Sequence, residues 1–237
     1  MFILVNQPTY KAFGNRAVLI EWLPKIDLEI SKRISAFKEA IFLSNIQAIQ
    51  DCIVGYNSLT VIYYSEITDF ESTKQSLELI YSKSASKESQ SSSLWKIPVC
   101  YDSCFGLDLK TVSKTLNLPV SEIILLHSKP IYNIHFIGFL PGFLYLGGMD
   151  SKLEIKRKTT PRLNVARGSV AIGGSQTGIY PRNSSGGWNI IGKTPISFFN
   201  IAKEDPCFAR PGDQVQFVPI SLDEFKLLET QKNDNND

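Results

Sequence analysis

The stretch GSVAIGGSQTGIYPRNSSGGWNIIGKTP, residues 168–195, decides the fold of the C-terminal half of this chain. In it, short apolar runs alternate with glycine and proline, and the runs YNIHFIGF, ISFFN and QVQFVPI lie on either side. Many short strands joined by tight turns are typical of a β-barrel or a β-sandwich. We therefore predict a β-barrel as the main architecture of this half.

The N-terminal part has a different pattern. Strand-like runs over residues 17–22, 47–54 and 59–64 alternate with two helical patterns. The first helix has one apolar face and Asp27 as its cap; the face consists of Ile30, Ile34, Phe37 and Ile41. The order strand, helix, strand, strand, helix is most of a ferredoxin-like unit, and WKIPVC at residues 95–100 is available as its last strand.

Helix starts can also be read from local signals. Thr68 and Glu71 form a capping-box signature before the second helix. Two shorter helical patterns follow near residues 107–116 and 121–127, and we predict Ser121 as the cap of the second.

A serine-rich segment divides the chain. Residues 82–93, SKSASKESQSSS, include seven serines and no large apolar side chain, so burial cannot offset the entropy of ordering them. We predict an α+β protein with a small ferredoxin-like domain over 1–93 that ends in this linker, a barrel domain over 94–222, and a polar tail over 223–237.

Composition excludes several classes of protein. The net charge of +2 over 237 residues does not point to nucleic acid or to a membrane surface, and no apolar run approaches the ~20 residues of a membrane span. The four cysteines are spaced for neither a disulfide framework nor a zinc site, so we predict no metal. With no secretory signal, a reducing, cytoplasmic location is expected.

The segment GFLPGFLYLGG, residues 138–148, is the first candidate for ligand binding. Glycines such as Gly142, beside Pro141, allow backbone amides to approach an anion or a carbonyl group. The alternative is a buried loop that packs its aromatic side chains.

A basic cluster follows. Residues 152–193 carry eight cations and one acid, Glu154, in a chain whose net charge is only +2. This favours a phosphate or carboxylate ligand or an acidic partner, with a solvated, lysine-blocked strand edge as the alternative. Arg162, directly after a proline, is the best single candidate because a guanidinium can grip an oxyanion with two bonds.

Polar side chains and glycines mix in GGSQTGIYPRNSSGGW, residues 173–188. Neutral donors and acceptors beside an arginine suit an amide or lactam ligand. Trp188 either walls such a pocket or fills the barrel, and His135, in an alternating strand, is interpreted as a packed histidine. The chain has no Walker loop and no GxGxxG motif, so we do not expect it to hold a nucleotide in a P-loop.

These motifs occur in the order of a known family. His127-Ser128, GFLPGFLYLGG, Pro161-Arg162, GSVAIGGSQTGIYP, GGWNIIGKTP and PGDQVQFVPI together resemble the family of the 5-oxoprolinase B subunit, which also contains allophanate hydrolase subunit 1 and a sporulation histidine-kinase inhibitor. The sequence departs from the family where Lys193 replaces an arginine.

The resemblance implies a cyclophilin-like β-barrel after a small α/β domain, and a complex with partner C and A subunits. That complex hydrolyses 5-oxo-L-proline to L-glutamate with consumption of ATP, which need not bind to this chain; the chain alone is expected to be inactive. The alternatives are an inhibitor of a sporulation-type sensor histidine kinase and a carboxyltransferase-like component of an allophanate or urea system.

The resemblance also assigns site residues. We expect catalytic roles for Arg162, Gln176 and Tyr180. Substrate contacts are expected from Pro141, Gly142, Thr177, Gly178, Trp188 and Lys193.

Overall fold

The computed structural model describes residues 7–84 and 92–234, which form two compact units divided between Ser91 and Ser92. Only part of the predicted linker over 82–93 falls within these ranges. Its first three residues complete a helix, whereas residues 85–91 lie outside the described residues.

Unit 1 contains a four-stranded antiparallel sheet and two helices. Its elements are β1 (Thr9–Ala12), β2 (Ala17–Glu21), α1 (Leu28–Leu43), β3 (Ile49–Val54), β4 (Ser58–Tyr63) and α2 (Phe70–Ser84). The strand order is β1-β2-β4-β3. Because β4 lies between β2 and β3 and is antiparallel to both, β2 and β3 are parallel, and α1 joins them.

The edge strand of this sheet corrects the sequence prediction. The position beside β2 is occupied by β1, which pairs with it from Thr9↔Glu21 to Ala12↔Val18. Residues 95–100 belong instead to the barrel of unit 2. The alternating pattern of those residues predicts a strand but does not say which sheet the strand joins.

The helix caps of unit 1 follow local chemistry. The Asp27 side chain accepts hydrogen bonds from the amides of Glu29 and Ile30, which confirms it as the cap of α1. The prediction for α2 was wrong by one position: the carboxylate of Asp69, not Thr68, accepts from the Ser72 amide at 3.0 Å. Since α2 begins at Phe70, the capping position falls on residue 69.

Unit 2 is a closed barrel with helices. Its strands are β5 (Leu94–Cys100), β6 (Tyr132–Ile137), β7 (Leu144–Gly147), β8 (Arg162–Val165), β9 (Ser169–Gly173), β10 (Gln176–Ile179), β11 (Ser184–Gly186), β12 (Asn189–Lys193) and β13 (Gln214–Ile220). Its helices are α3 (Leu109–Leu116), α4 (Val120–Ser128) and α5 (Leu222–Asp234), with a short 3-10 helix at Ser151–Leu153. The barrel order is β10-β7-β6-β13-β5-β12-β9, and β8 and β11 form a separate two-stranded sheet.

A parallel pair closes the barrel. Strand β13 runs parallel to β5 in continuous register from Gln214↔Leu94 to Ile220↔Cys100, while its other neighbour, β6, is antiparallel. The Asp213 carboxylate secures this seam, because it accepts from the Ser93 amide and from the Trp95 indole N–H, each at 2.9 Å. Inward-facing residues such as Ile97, Val215 and Phe217 form the core.

Three predictions for unit 2 were wrong. Residues 196–200, ISFFN, form no strand. Helix α4 begins directly after Pro119 and has no side-chain cap, so Ser121 lies inside the helix. The predicted polar tail begins as α5, because Phe225 is buried with its ring 4.4 Å from that of Phe105.

Candidate active-site cleft

Strand β11, the segment 157–161 and the loop after β6 line a cavity of about 310 Å³, which we name the aromatic cleft. It receives residues from the glycine-rich loop, from the basic cluster and from the polar stretch singled out in the sequence. Its lining consists of Phe139, Phe143, Tyr145, Arg157, Lys158, Pro161, Tyr180, Ser185, Gly186, Gly187 and Trp188.

Phe143 is the centre of the aromatic wall. Its ring meets the edges of Tyr180 at 5.5 Å and of Trp188 at 5.6 Å, both nearly perpendicular. Such edge-to-face pairs are favourable beyond the area they bury. Gly178 lies directly behind, since a Cβ there would come within 2.9 Å of the Phe143 Cζ. Gly178 therefore leaves the space that the ring of Phe143 occupies.

Arg157 brings a positive charge over this wall. Its guanidinium carbon lies 5.3 Å from the centre of the Trp188 ring, and Nη2 donates to Gln176 Oε1 at 3.3 Å. Gly173 permits the arrangement, because a Cβ there would be 2.9 Å from Trp188 Cγ and 3.1 Å from Arg157 Cγ. Sequence reasoning counted Arg157 in the basic cluster but did not single it out.

Asp108 is a candidate site residue that sequence reasoning missed. Its carboxylate accepts two hydrogen bonds from Arg162, each at 2.7 Å, and one from Lys158 Nζ at 3.1 Å. It also accepts from the Ile190 amide at 2.8 Å, so it is held to β12. Only 4% of the Asp108 side chain is exposed.

This cluster sets the protonation of Asp108 and the freedom of Arg162. Burial alone would raise the pKa of Asp108, but the hydrogen bonds from Arg162, the Ile190 amide and Lys158 outweigh it and hold the pKa below its usual value. Arg162 donates two of its five N–H groups to Asp108, so three N–H groups remain for other partners.

Tyr180 faces the cleft as a neutral phenol. Burial raises its pKa, opposed by the Trp188 amide and by the positive charges of Arg157 and Arg162. Gly186 allows this approach, because a Cβ there would collide with the phenol oxygen. A neutral phenol beside two guanidinium groups can donate a hydrogen bond to a developing oxyanion.

Thr177 lies in the barrel interior, within a chain of buried polar groups. Its hydroxyl donates to the Ala171 carbonyl at 3.2 Å and therefore accepts from His127 Nε2 at 2.8 Å. With that tautomer, His127 Nδ1 accepts from the Tyr101 hydroxyl at 2.7 Å. Burial lowers the pKa of His127 to about 3, so its ring is neutral.

Three further candidates lie at other places. Gly142, at φ +84°, packs tightly against residues 198–199, and the neighbouring Pro141 is exposed. The Lys193 ammonium lies 5.2 Å and 5.5 Å from the ring centres of Phe105 and Phe225. Five residues of extended strand, about 16 Å, separate Lys193 from the tryptophan of the cleft.

The structure thus brings some of the predicted residues together. Tyr180 and Trp188 line the cleft directly, Gln176 reaches it through Arg157, and Arg162 reaches it through the ion cluster with Lys158. Within residues 7–84 and 92–234, no group of three or more His, Cys, Asp or Glu is placed to hold a metal ion. In the same ranges, no helix has the length and apolarity needed to span a bilayer.

Comparison with known proteins relates this architecture to named relatives. Two curated proteins, each named as the B subunit of 5-oxoprolinase, are similar to the chain. The protein from Bacillus subtilis is 34% identical over 93% of this chain and 96% of its own length. The protein from Escherichia coli O157:H7 is 38% identical over 87% of this chain and 93% of its own.

A solved structure, that of TTHA0988, superposes with a TM-score of 0.74 at 31% identity. The match covers 87% of this chain and 40% of that one, so this chain spans less than half of the solved relative. The family model described as carboxyltransferase domain, subdomain C and D, matches residues 8–209. The resemblance found in the sequence motifs is confirmed, and the chain belongs to the carboxyltransferase domain family of subdomains C and D, together with the proteins named as 5-oxoprolinase B subunits.

Proposed function

We propose that this chain is the B subunit of an ATP-dependent 5-oxoprolinase, which opens the lactam ring of 5-oxo-L-proline to give L-glutamate. The observation that carries the proposal is the alignment of almost the whole chain with proteins of that name. The aromatic cleft supports it, because apolar walls and nearby cations suit a small ring that bears a carboxylate.

The chemistry explains why ATP is consumed. A lactam carbonyl is a poor electrophile, and transfer of a phosphoryl group to its oxygen makes the ring carbon open to attack by water. Attack, loss of phosphate and cleavage of the C–N bond then give glutamate. A site for this reaction must stabilise negative charge on the substrate carboxylate and on the phosphorylated oxygen.

We assign roles from the contacts in the cleft. Arg157 binds the carboxylate or the phosphate, and Gln176 orients Arg157. Tyr180 donates to the oxygen of the lactam. Asp108 holds both Lys158 and Arg162 beside the cleft, and the remaining N–H groups of Arg162 are assigned to the same anion.

Partner chains complete the proposal. The relatives are named as one subunit of an enzyme, and the solved relative has more than twice the matched length in one chain. We propose that a C subunit closes the cleft and that an A subunit joins the complex of B and C. We also propose that the isolated chain is inactive and that the complex is located in the cytoplasm. In fold terms we propose a ferredoxin-like unit 1, with β1 as its edge strand, and a cyclophilin-like barrel in unit 2.

The test is co-expression with candidate C and A subunits, followed by measurement of ATP-dependent glutamate release from 5-oxo-L-proline. Arg157→Ala should lower kcat/KM at least tenfold, the loss of one charge-assisted contact. Arg182→Ala is the matched control, since Arg182 is an exposed arginine of the same basic segment outside the cleft.

The control variant should keep the parental kcat/KM. A complete complex without glutamate release would refute the proposed function, and inhibition of a histidine kinase by such a preparation would favour the regulatory alternative. If Arg157→Ala and Arg182→Ala have the same kcat/KM, the assignment of the cleft as the substrate site fails, although the proposed function stands.

A further inference from the structure

The last helix of the chain, α5, packs against the loop that leads to Asp108. It lies outside residues 8–209, the part that the family model matches. A capping box starts it: the Ser221 hydroxyl accepts from the Glu224 amide at 3.2 Å, and the Glu224 carboxylate accepts from the Ser221 amide at 2.7 Å. Since β13 ends at Ile220, the capping box sets the position of α5 directly after the barrel.

Phe225 anchors α5 to the barrel. Its side chain is 1% exposed, and its ring contacts that of Phe105 in the loop before Asp108. The ammonium of Lys193, the last residue of β12, lies over both rings within the range of a cation–π interaction. Glu229, one turn further along α5, lies 3.8 Å from the same ammonium. Helix α5, strand β12 and the loop over 102–107 therefore meet at these four side chains.

The loop over 102–107 is held from two sides. On one side, a Cβ on Gly106 would come within 2.8 Å of a backbone oxygen of β12, so the loop lies directly on that strand. The Asp108 amide, at the end of the loop, donates to the Ile190 carbonyl at 2.8 Å. On the other side, Leu107 is 58% exposed, whereas Phe105 is covered by α5. Phe105 is thus the contact through which α5 holds the loop.

The position of Asp108 decides whether the cations beside the cleft stay in place. Its carboxylate binds Arg162 through two hydrogen bonds of 2.7 Å and Lys158 through one of 3.1 Å. A shift of the loop by about 1 Å would carry these bonds beyond hydrogen-bond range. Misplacement of that size, even from a remote change, can lower a rate about a hundredfold.

We propose that Phe225 is a positioning residue for the candidate site. Through Phe105 it fixes the loop over 102–107, and through that loop it fixes Asp108 for Arg162 and Lys158. Lys193 joins α5 to β12 in this arrangement and has no contact with the substrate. The effect on the pairing of Asp108 with Arg162 is a property of the folded chain, whereas the effect on turnover rests on the proposed function.

A double-mutant cycle in three backgrounds tests the inference. The cycle combines Asp108→Asn with Arg162→Gln in the full-length parental chain, in Phe225→Ala and in Leu227→Ala, and urea unfolding is the measurement. Leu227 is the matched control, because it is a large apolar residue of the same helix that is 60% exposed.

The coupling between Asp108 and Arg162 should change the folding equilibrium roughly thirtyfold in the parental chain and in the Leu227 control. In Phe225→Ala it should fall below about fivefold. A role of Phe225 in stability alone would shift all four members of the cycle equally and leave the coupling unchanged. Unchanged coupling in Phe225→Ala, or an equal loss in Leu227→Ala, would therefore overturn the inference.

Phe225→Leu keeps an apolar side chain but removes the ring that Phe105 and Lys193 contact. It replaces the alanine variant if that variant does not fold. The coupling in Phe225→Leu should then be below about tenfold. A coupling as large as in the parental chain would contradict the role of the ring.

Turnover of the assembled complex separates this inference from the proposed function. Phe225→Ala should lower kcat/KM for 5-oxo-L-proline about tenfold, and Leu227→Ala should stay within about twofold of the parental value. If the parental complex is active and Phe225→Ala keeps its kcat/KM, the inference fails and the function stands. If the parental complex releases no glutamate, the function fails, and the double-mutant cycle still decides whether Phe225 positions Asp108.

Discussion

The ion cluster around Asp108 gives the sharpest test of the candidate site. A double-mutant cycle with Asp108→Asn and Arg162→Gln measures how strongly the two side chains are coupled. Asparagine keeps an oxygen that can accept from the Ile190 amide, so the cycle isolates the pairing with the guanidinium. The two bonds are 2.7 Å each, and side-chain exposure is 4% for Asp108 and 28% for Arg162.

We expect a coupling free energy of about 2 kcal/mol. Breaking a fully buried ion pair costs roughly 3–5 kcal/mol, but solvent reaches Arg162, and Lys158 remains as a partner when the arginine is removed. A coupling of this size corresponds to a change of roughly thirtyfold in the folding equilibrium. Burial tends to raise the pKa of Asp108, yet its hydrogen bonds lower it overall, so this stabilisation is present above pH ~4 and is lost as the pH falls further.

Urea unfolding provides the measurement. A Trp22→Phe background leaves Trp95 and Trp188 as the fluorescent reporters, and both lie in unit 2. The control cycle is Asp205→Asn with Arg210→Gln, an exposed pair at 3.0 Å for which we expect less than about 0.5 kcal/mol. If the Asp108 cycle gives no more coupling than the control, the cluster does not organise the wall of the cleft.

Two further predictions concern the barrel and the mouth of the cleft. Burial depresses the pKa of His127 to about 3, so the free energy of unfolding of unit 2 should fall by up to about 1.4 kcal/mol per pH unit as the pH drops from ~6.5 towards 3. Equilibrium unfolding at several pH values should show a shallower fall for His127→Gln. Equal slopes for the variant and the parental chain would contradict the neutral ring. Phe139 is 62% exposed, and its backbone has a left-handed conformation, φ +63°, that is unfavourable for a side chain with a Cβ. Phe139→Gly should therefore raise the free energy of unfolding by about 1 kcal/mol while weakening ligand binding. A loss of stability would show that the packing of the ring contributes more than the backbone strain costs.

Local structure was largely predictable from sequence, because its signals lie within a few residues. The apolar spacing and the cap predicted α1, and the short apolar run QVQFVPI predicted a strand where β13 lies. The failure at residues 95–100 has a different origin. A run such as WKIPVC is compatible with either sheet, and the choice depends on a partner strand 120 residues away in the sequence.

The candidate site was predictable only in part for the same reason. Tyr180 and Trp188 stand in an unusual glycine-rich context and were identified. Asp108 had no such signal, since a single aspartate before a helix is typical of a cap. Its role depends on cations 50 and 54 residues later in the chain. The interior position of Thr177 likewise depends on the closure of the barrel.

The parallel seam between β5 and β13 has a consequence for synthesis on the ribosome. The first strand of unit 2 cannot pair with its partner until residues 214–220 have left the exit tunnel, after nearly all of the barrel has been made. Until that moment β5 presents an open hydrogen-bonding edge in the nascent chain, and such edges recruit strands from other molecules. We expect late closure of this kind to slow folding and to expose the nascent chain to aggregation until its last strand arrives.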